Sequence, residues 1–436
     1  MLIIKVFLLI LGFCQLLFWV YYWQLKEYRW DRFVDGLKNE WQDLALKQFD
    51  ISRWYRPKVT VRSILTLLVG TTVVFYFWQY WWVAAPLMSA VLVFLWQPIF
   101  DWQKRKIINL ARIKMTGFKG TVIGVTGSYG KSSTKEMLFE VLLKKFRVVS
   151  TPKNVNTEIG VAQTVLKWKG DEEVAIVEMG AYKRGEIKAI CQLVKPKIGI
   201  ITGIGDQHLS LFGSIENIKK AKYELIESLP VDGWGLVAEK DFKMAEAGKI
   251  KTSKEQIEFD FEKQKFIVPV LGKQFVRNVI GVIKAAKFMG ISLAETAGAL
   301  HNLNRDNFWP KLVWVKQDLV IVDDSYNAGL ESFLNLLEYV KVWSGWKKIL
   351  VTPGMIELGK KTNEDHLEVG KSLKEIDEVI LTNGKNFAEL NKWGNVKVIK
   401  GESKVINKIK RSISGKTVMI FKSRVPRVVI DSIING

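Results

Sequence analysis

The run TVIGVTGSYGKSST at residues 121–134 limits the possible folds more than any other stretch of this chain. Thr121 to Val125 is a short β-branched block of the kind that forms a buried strand. Gly127 to Gly130 allows a tight turn with inward-pointing amides, and Lys131-Ser132 opens a helix that continues through Glu136, Met137 and Leu138. Strand, glycine turn and helix in that order can cradle phosphate. Unpaired amides and a helix N-terminus meet the negative charge, a lysine reaches the terminal phosphates, and a serine hydroxyl can ligate magnesium. The spacing departs from G-x4-G-K, because Val125 stands where the first glycine belongs. A glycine turn before a helix is often only a turn, so the reading needs support from elsewhere.

That support comes from three later blocks. Residues 172–186, EEVAIVEMGAYKRGE, read as a strand ending at Glu178 and a glycine turn. A carboxylate at the carboxyl end of a strand in an α/β sheet is well placed to bind magnesium. KIGIITGIGDQHLSLFGS at 197–214 reads as a strand and a loop with His208, and 215–230 as a helix carrying Lys222. Singly, a loop histidine and a helix lysine are ordinary surface residues. With only three histidines in the chain, however, the placing of His208 in such a block and of His366 in the later MIELG…H run carries weight. Two cysteines without a CxxC, Cys14 and Cys191, exclude a disulfide scaffold and a zinc cluster. No repeat or low-complexity tract is present, which excludes a solenoid and extended disorder.

At 436 residues the chain is too long for one core. Lys plus Arg outnumber Asp plus Glu by 65 to 44, a net +21, yet mean hydropathy is +0.07. The apolar residues are concentrated at the front, where ten of the 17 tryptophans precede residue 103. Residues 2–23 hold one charge, Lys5, over about the length that crosses a bilayer. A signal peptide is the rival reading, but no small-residue cleavage site follows. Residues 63–100 carry no charge at all, enough for two short spans with a break expected near Trp81-Trp82 to Pro86. The alternative is a helical hairpin buried in a soluble core.

Nine basic residues in 24–62 and six in 102–119 predict a cytoplasmic loop and cytoplasmic domains after residue 101. Trp30, Phe33, Leu37, Trp41 and Leu44 recur at helical spacing, consistent with a helix on the inner membrane surface or against the soluble part. The excess charge then points to anionic lipid. Nucleic acid is not expected as a partner, because no reading motif is present.

The runs TGSYGKSSTKEM, STPKNVNTEIGVA, VEMGAYKRGEI, DQHLSLFGS with KAKYE, VDDSYNAG and MIELG…H follow one another from about residue 118. Together they resemble the Mur ligase family, which joins amino acids or peptides to a carboxylate using ATP, and most of all its D-alanyl-D-alanine-adding branch. The resemblance implies ATP and Mg2+ as cofactors. It assigns Thr126, Gly127, Ser128, Gly130, Lys131, Ser132 and Ser133 to the nucleotide, with Asn278 and Asp324 as further contacts. Ser132, Glu178 and His208 would hold magnesium, joined by Lys222 if it is carbamylated. Lys131, Lys222 and His208 would form the catalytic set, and Tyr326, Asn327 and His366 would meet the substrate.

The departures are Gln274-Phe275 for a His-Asn pair, Gly354 for an Asp, Phe421-Lys422-Ser423-Arg424 for K-G-S-R, and no clear arginine before Asp324, where Lys311 lies nearer than Arg305. They fall in adenosine and substrate contacts.

The expected architecture is α/β in three parts. Residues 1–115 form a membrane module with about three transmembrane helices. Residues 116–303 form a central P-loop parallel-sheet ATPase domain, and 304–436 a Rossmann-like C-terminal domain. The resemblance implies peptidoglycan precursor synthesis, with an amino acid or dipeptide amine and a muramyl-peptide or other carboxylate acceptor as partners. The apolar front and its basic flanks, a departure from the family, point to the bacterial inner membrane and a membrane lipid. A poly-γ-glutamate-synthase-like ligase and a catalytically silent nucleotide-binding scaffold are the alternatives.

Overall fold

The computed structural model describes residues 2–30, 32–34, 37, 44, 57–205, 209–241, 246–326, 328–355, 362–384 and 387–435. Contacts divide the chain into two compact units, Met1–Leu110 and Ala111–Gly436.

The first unit is helical. Helix α1 (Leu2–Leu25) packs on α2 (Val61–Tyr76), where Gly70 lets the backbone approach Leu16; an added Cβ would lie 2.8 Å from its Cδ2. Thr60 and Ser63 start α2 with reciprocal caps on each other's amides. The break after α2 falls at Phe77–Tyr80, earlier than expected. Helix α3 then runs unbroken from Trp81 to Thr116, through both Pro86 and Pro98. Trp23 and Phe33 stack 3.7 Å apart, centring an aromatic cluster with Phe18, Trp19 and Tyr22. Buried Arg62 donates from Nη2 to the Val93 carbonyl at 3.0 Å and to Gln97 Oε1 at 2.8 Å, with its guanidinium 4.1 Å over the Tyr28 ring.

Among the described residues two helices, Lys5–Leu25 and Ala85–Thr116, are long and apolar enough to cross a membrane; α2, at 16 residues, is shorter. Of the stripe expected between residues 30 and 44, Trp41 lies outside the described residues, whereas Phe33 and Leu44 are buried.

The second unit contains two parallel sheets, and the alternation of strand and helix expected from the sequence is present. The first sheet holds β1 (Thr121–Thr126), β2 (Val148–Ser150), β3 (Val174–Glu178), β4 (Ile198–Ile201) and β5 (Trp234–Val237), ordered β2-β3-β1-β4-β5. Every pairing is parallel. Buried on both sides, its central strands β1, β3 and β4 are nearly continuous apolar runs such as VAIVE. Helices α4 (Lys131–Leu142), α5 (Glu158–Val165), α6 (Glu186–Val194) and α7 (Ile215–Glu227) intervene between its strands.

A three-stranded antiparallel sheet, β6 (Lys251–Thr252), β7 (Ile257–Phe261) and β8 (Gln264–Val268), follows. Phe259, Phe266 and Val268 from this sheet share one core with α4 and with α8 (Phe275–Phe288) and α9 (Leu293–His301). The second parallel sheet is ordered β13-β12-β11-β14-β10-β9, with β9 (Lys311–Lys316) antiparallel at the edge. The others are β10 (Leu319–Asp324), β11 (Lys347–Thr352), β12 (Glu378–Leu381), β13 (Val396–Val398) and β14 (Thr417–Lys422). Separate apolar clusters cover its two faces. Strand β14, last in the chain, is inserted between β11 and β10.

Candidate active site

The turn after β1 closes because two positions are glycine. Gly127 has φ +151, and a Cβ there would lie 2.2 Å from Thr202 Oγ1. Gly130, at φ +76, is the left-handed residue that starts α4, and a Cβ there would meet the Asn278 amide at 2.6 Å. Asn278, on α8, therefore lies against the turn. Ser128 is held by two bonds to Gly205, its Oγ donating to the carbonyl at 3.1 Å and accepting from the amide at 3.0 Å. Thr202 donates to the Tyr129 carbonyl.

Lys131 folds back over this turn, donating to the Gly127 and Ser128 carbonyls at 2.7 and 3.2 Å. Burial holds its pKa below the ordinary lysine value, opposed by the charge of Glu178. Those bonds can be exchanged for phosphate oxygens. Ser132 Oγ donates to Glu178 Oε2 at 2.8 Å, and Asn156 Nδ2 donates to Oε1 at 3.0 Å. Glu178 is buried, and its own amide is received by Thr151 Oγ1 at 3.0 Å.

Lys222 projects from α7 into the same charged neighbourhood. Burial, reinforced by the charge of Lys131, pushes its pKa down to about 7 against the opposing pull of Glu186 and Glu224. Glu224 accepts from the amides of Gly185 and Lys188 at 2.6 and 3.0 Å, satisfying the N-terminus of α6. Strongly shifted groups grouped beside a phosphate cradle mark a functional site.

The C-terminal half reaches this site through the loop after β10. The Tyr326 hydroxyl is raised by burial and by the negative charge of Glu178, opposed by a hydrogen bond with Asn154. Its ring stacks on Trp309 at 5.7 Å. A Cβ at Gly329 would lie 3.1 Å from the Tyr129 hydroxyl. Trp309 and Tyr129 were not among the residues expected here; an aromatic inside a phosphate turn and one ahead of a strand carry no specific signal in a sequence already rich in aromatics.

Other expected residues sit differently. The Thr126 hydroxyl is buried and donates to the Met179 carbonyl at 2.8 Å, tying β1 to β3. Asp324 is buried in an ion pair with Lys422 at 2.5 Å, with Ser332 donating to the same oxygen at 3.3 Å. Burial lowers the Lys422 ammonium, and the Asp324 charge opposes this.

His366 is also buried. Its Nε2 accepts from the Met355 amide at 2.9 Å and Nδ1 lies 2.6 Å from the Thr362 carbonyl, which requires the neutral Nδ1–H tautomer. Desolvation lowers its pKa accordingly. Through these bonds it ties Met355, just after β11, to Thr362 at the start of the following helix. Ser133 is half-buried on the first turn of α4. His208 and Asn327 lie outside the described residues.

Among the described residues no three His, Cys, Asp or Glu gather as a metal cluster. A carboxylate and a hydroxyl oxygen 2.8 Å apart beside a phosphate cradle instead suit a hard cation shared with phosphate, which is how magnesium is commonly held. The residues present fit that ion.

Parallel sheet, glycine turn, lysine and carboxylate define a phosphate-cradle α/β protein with a second, Rossmann-like lobe. Family comparison agrees: residues 125–267 match the Mur ligase middle domain and 312–424 the "Mur ligase, glutamate ligase domain", together more than half of the chain. The chain belongs to the Mur ligase family.

A UDP-N-acetylmuramoyl-tripeptide–D-alanyl-D-alanine ligase of Bacillus subtilis (strain 168) is 32% identical over 286 residues, 60% of this chain and 62% of that protein. The chain thus spans about 62% of the length of that curated relative. MurF ligase from Thermotoga maritima in complex with ADP superposes with TM-score 0.67 at 26% identity, covering 76% of this chain and 83% of that one. MurF from Acinetobacter baumannii, at 22% identity and TM-score 0.69 over 76% and 81%, shares the fold.

Proposed function

We propose that the chain is an ATP-dependent amide ligase of peptidoglycan precursor synthesis, which adds D-alanyl-D-alanine or a similar amine to a muramyl-peptide carboxylate. The observation carrying this reading is the pairing of Ser132 with Glu178 at the mouth of the glycine turn, with Lys131 folded over it. In the proposed reaction the acceptor carboxylate attacks the γ-phosphate of ATP and releases ADP, giving an acyl phosphate. The amine then displaces phosphate to form the amide. Magnesium would neutralise phosphate charge during transfer. The chain's own task is to position and to stabilise charge. Lys131 meets the terminal phosphates, Ser132 and Glu178 offer oxygen ligands, and Tyr326 brings the C-terminal half to the acceptor side. Lys222, with its pKa near 7, offers a neutral amine close to neutrality, the form that takes up carbon dioxide as a carbamate.

The front of the chain supports a membrane setting. Lys5–Leu25 and Ala85–Thr116 have the length and composition of spans, and Phe7, Leu68, Phe94 and Leu95 expose apolar side chains. We propose that the ligase sits on the inner membrane with its catalytic part in the cytoplasm, and that it takes an acceptor presented at the lipid surface. The test is release of ADP and phosphate by full-length protein, with and without D-alanyl-D-alanine, UDP-linked muramyl tripeptide and lipid vesicles. Amine-dependent turnover that Lys131→Ala removes supports the ligase. Equal turnover of a soluble acceptor with and without lipid contradicts the membrane-presented acceptor.

A further inference from the structure

Lys135 lies on α4 one turn beyond Lys131, and its ammonium is fully buried. It donates to the Thr151 carbonyl at 2.8 Å and to the Lys153 carbonyl, and lies 3.2 Å from Glu136 and 3.6 Å from Glu178 Oε2. A buried ammonium has three hydrogens to satisfy, and these partners do so. All but Glu136 belong to the site or to the loop after β2. In that loop Lys153 adopts φ +47, a left-handed conformation that L side chains rarely hold without support. On either side stand the residues that reach the active site: Thr151 receives the Glu178 amide, Asn154 bonds Tyr326, and Asn156 bonds Glu178 Oε1.

We infer that Lys135 is a positioning residue: its ammonium pins the left-handed turn at Lys153 and presets the Glu178 carboxylate, so that metal ligand and loop are held in one geometry before ligand arrives. This rests on the ligase reading. Supporting-shell residues of this kind typically change metal affinity about 10- to 100-fold when removed.

The test uses the full-length protein in detergent and follows Mn2+ binding by electron paramagnetic resonance in the presence of ADP, alongside thermal melting. Lys135→Gln keeps donors to the carbonyls but loses the charge; Lys135→Met loses both. The expected result is Mn2+ affinity weakened about 10-fold or more in both, Met the worse, while metal-free ADP binding changes little. Folded variants that bind Mn2+ like the wild type, with only a lower melting temperature, overturn the inference.

Should Lys135→Gln not fold, the comparison moves to a Lys153→Gly background, in which the turn no longer needs pinning. There Lys135→Gln should fold and still weaken Mn2+ binding, though less. Failure to fold there, or unchanged binding, assigns Lys135 a purely structural role and overturns the inference. A wild type that binds no Mn2+ with ADP contradicts the ligase reading itself, which separates the two failures.

Discussion

At the scale of single residues, charge burial sets the sharpest expectations. Lys222 titrates near 7 in the fold and near 10.4 when unfolded. Between those values the unfolded chain binds the extra proton, so stability rises with pH across that window. Below about 7 the cost of holding the ammonium in its buried site is fully present. Lys222→Met should therefore melt higher than the wild type at neutral and lower pH, with the gap closing toward pH ~10. A gap independent of pH would show that Lys222 is not the buried cation described.

Glycine positions separate function from simple helix propensity. Gly130→Ala forces a side chain into a left-handed residue and against Asn278, and should cost about 1–2 kcal/mol and weaken ATP binding. Gly298 is exposed inside α9 with nothing within 4 Å, so Gly298→Ala should stabilise by about 0.5–1 kcal/mol and leave ATP binding unchanged. Calorimetric melts with nucleotide titration check both. The cradle was legible because glycine, lysine and serine at that spacing have one physical use together. Lys135 was not, since a lysine early in a helix reads as solvated. The pairing of Asp324 with Lys422 was hidden by a separation of 98 positions and emerges only when β10 and β14 lie side by side.

At the scale of elements, the parallel strands were readable because buried strands are unbroken β-branched runs. The expected strand over 121–125 matches β1 to within a residue. The β7–β8 hairpin went unpredicted although IEFDF alternates apolar and polar residues, burying Ile257, Phe259 and Phe261. Its turn, Glu262-Lys263, has both φ values positive, at +47 and +66, without the usual Asn-Gly signal.

The segment leading into that hairpin also holds the C-terminal lobe. Lys254 lies 4.7 Å over the Trp343 ring, its carbonyl accepts from the Tyr339 hydroxyl at 2.6 Å, and Glu255 accepts from Trp314 Nε1 at 3.0 Å. Trp343 is fully buried, so Trp343→Ala should destabilise by about 3–5 kcal/mol, read as a lower melting temperature with an earlier loss of ADP binding. Unchanged melting would mean that this contact does not hold the lobe.

The whole molecule carries both a phosphate site and a front end whose apolar helices suit lipid. The basic residues of 24–62 and 102–119 would favour an anionic bilayer. If so, vesicle binding by full-length protein should weaken as salt rises but persist at 1 M, since buried apolar area is not screened. Complete release by salt would point to a peripheral, purely electrostatic contact.

The most direct measurement of the central claim is ADP release by full-length protein supplied with ATP, magnesium, a muramyl-peptide acceptor and D-alanyl-D-alanine. The account predicts release that requires both acceptor and amine, accompanied by one new amide per ADP, and lost in Lys131→Ala and Glu178→Gln. ATP consumed at the same rate without amine, or ligation that survives either substitution, would contradict it.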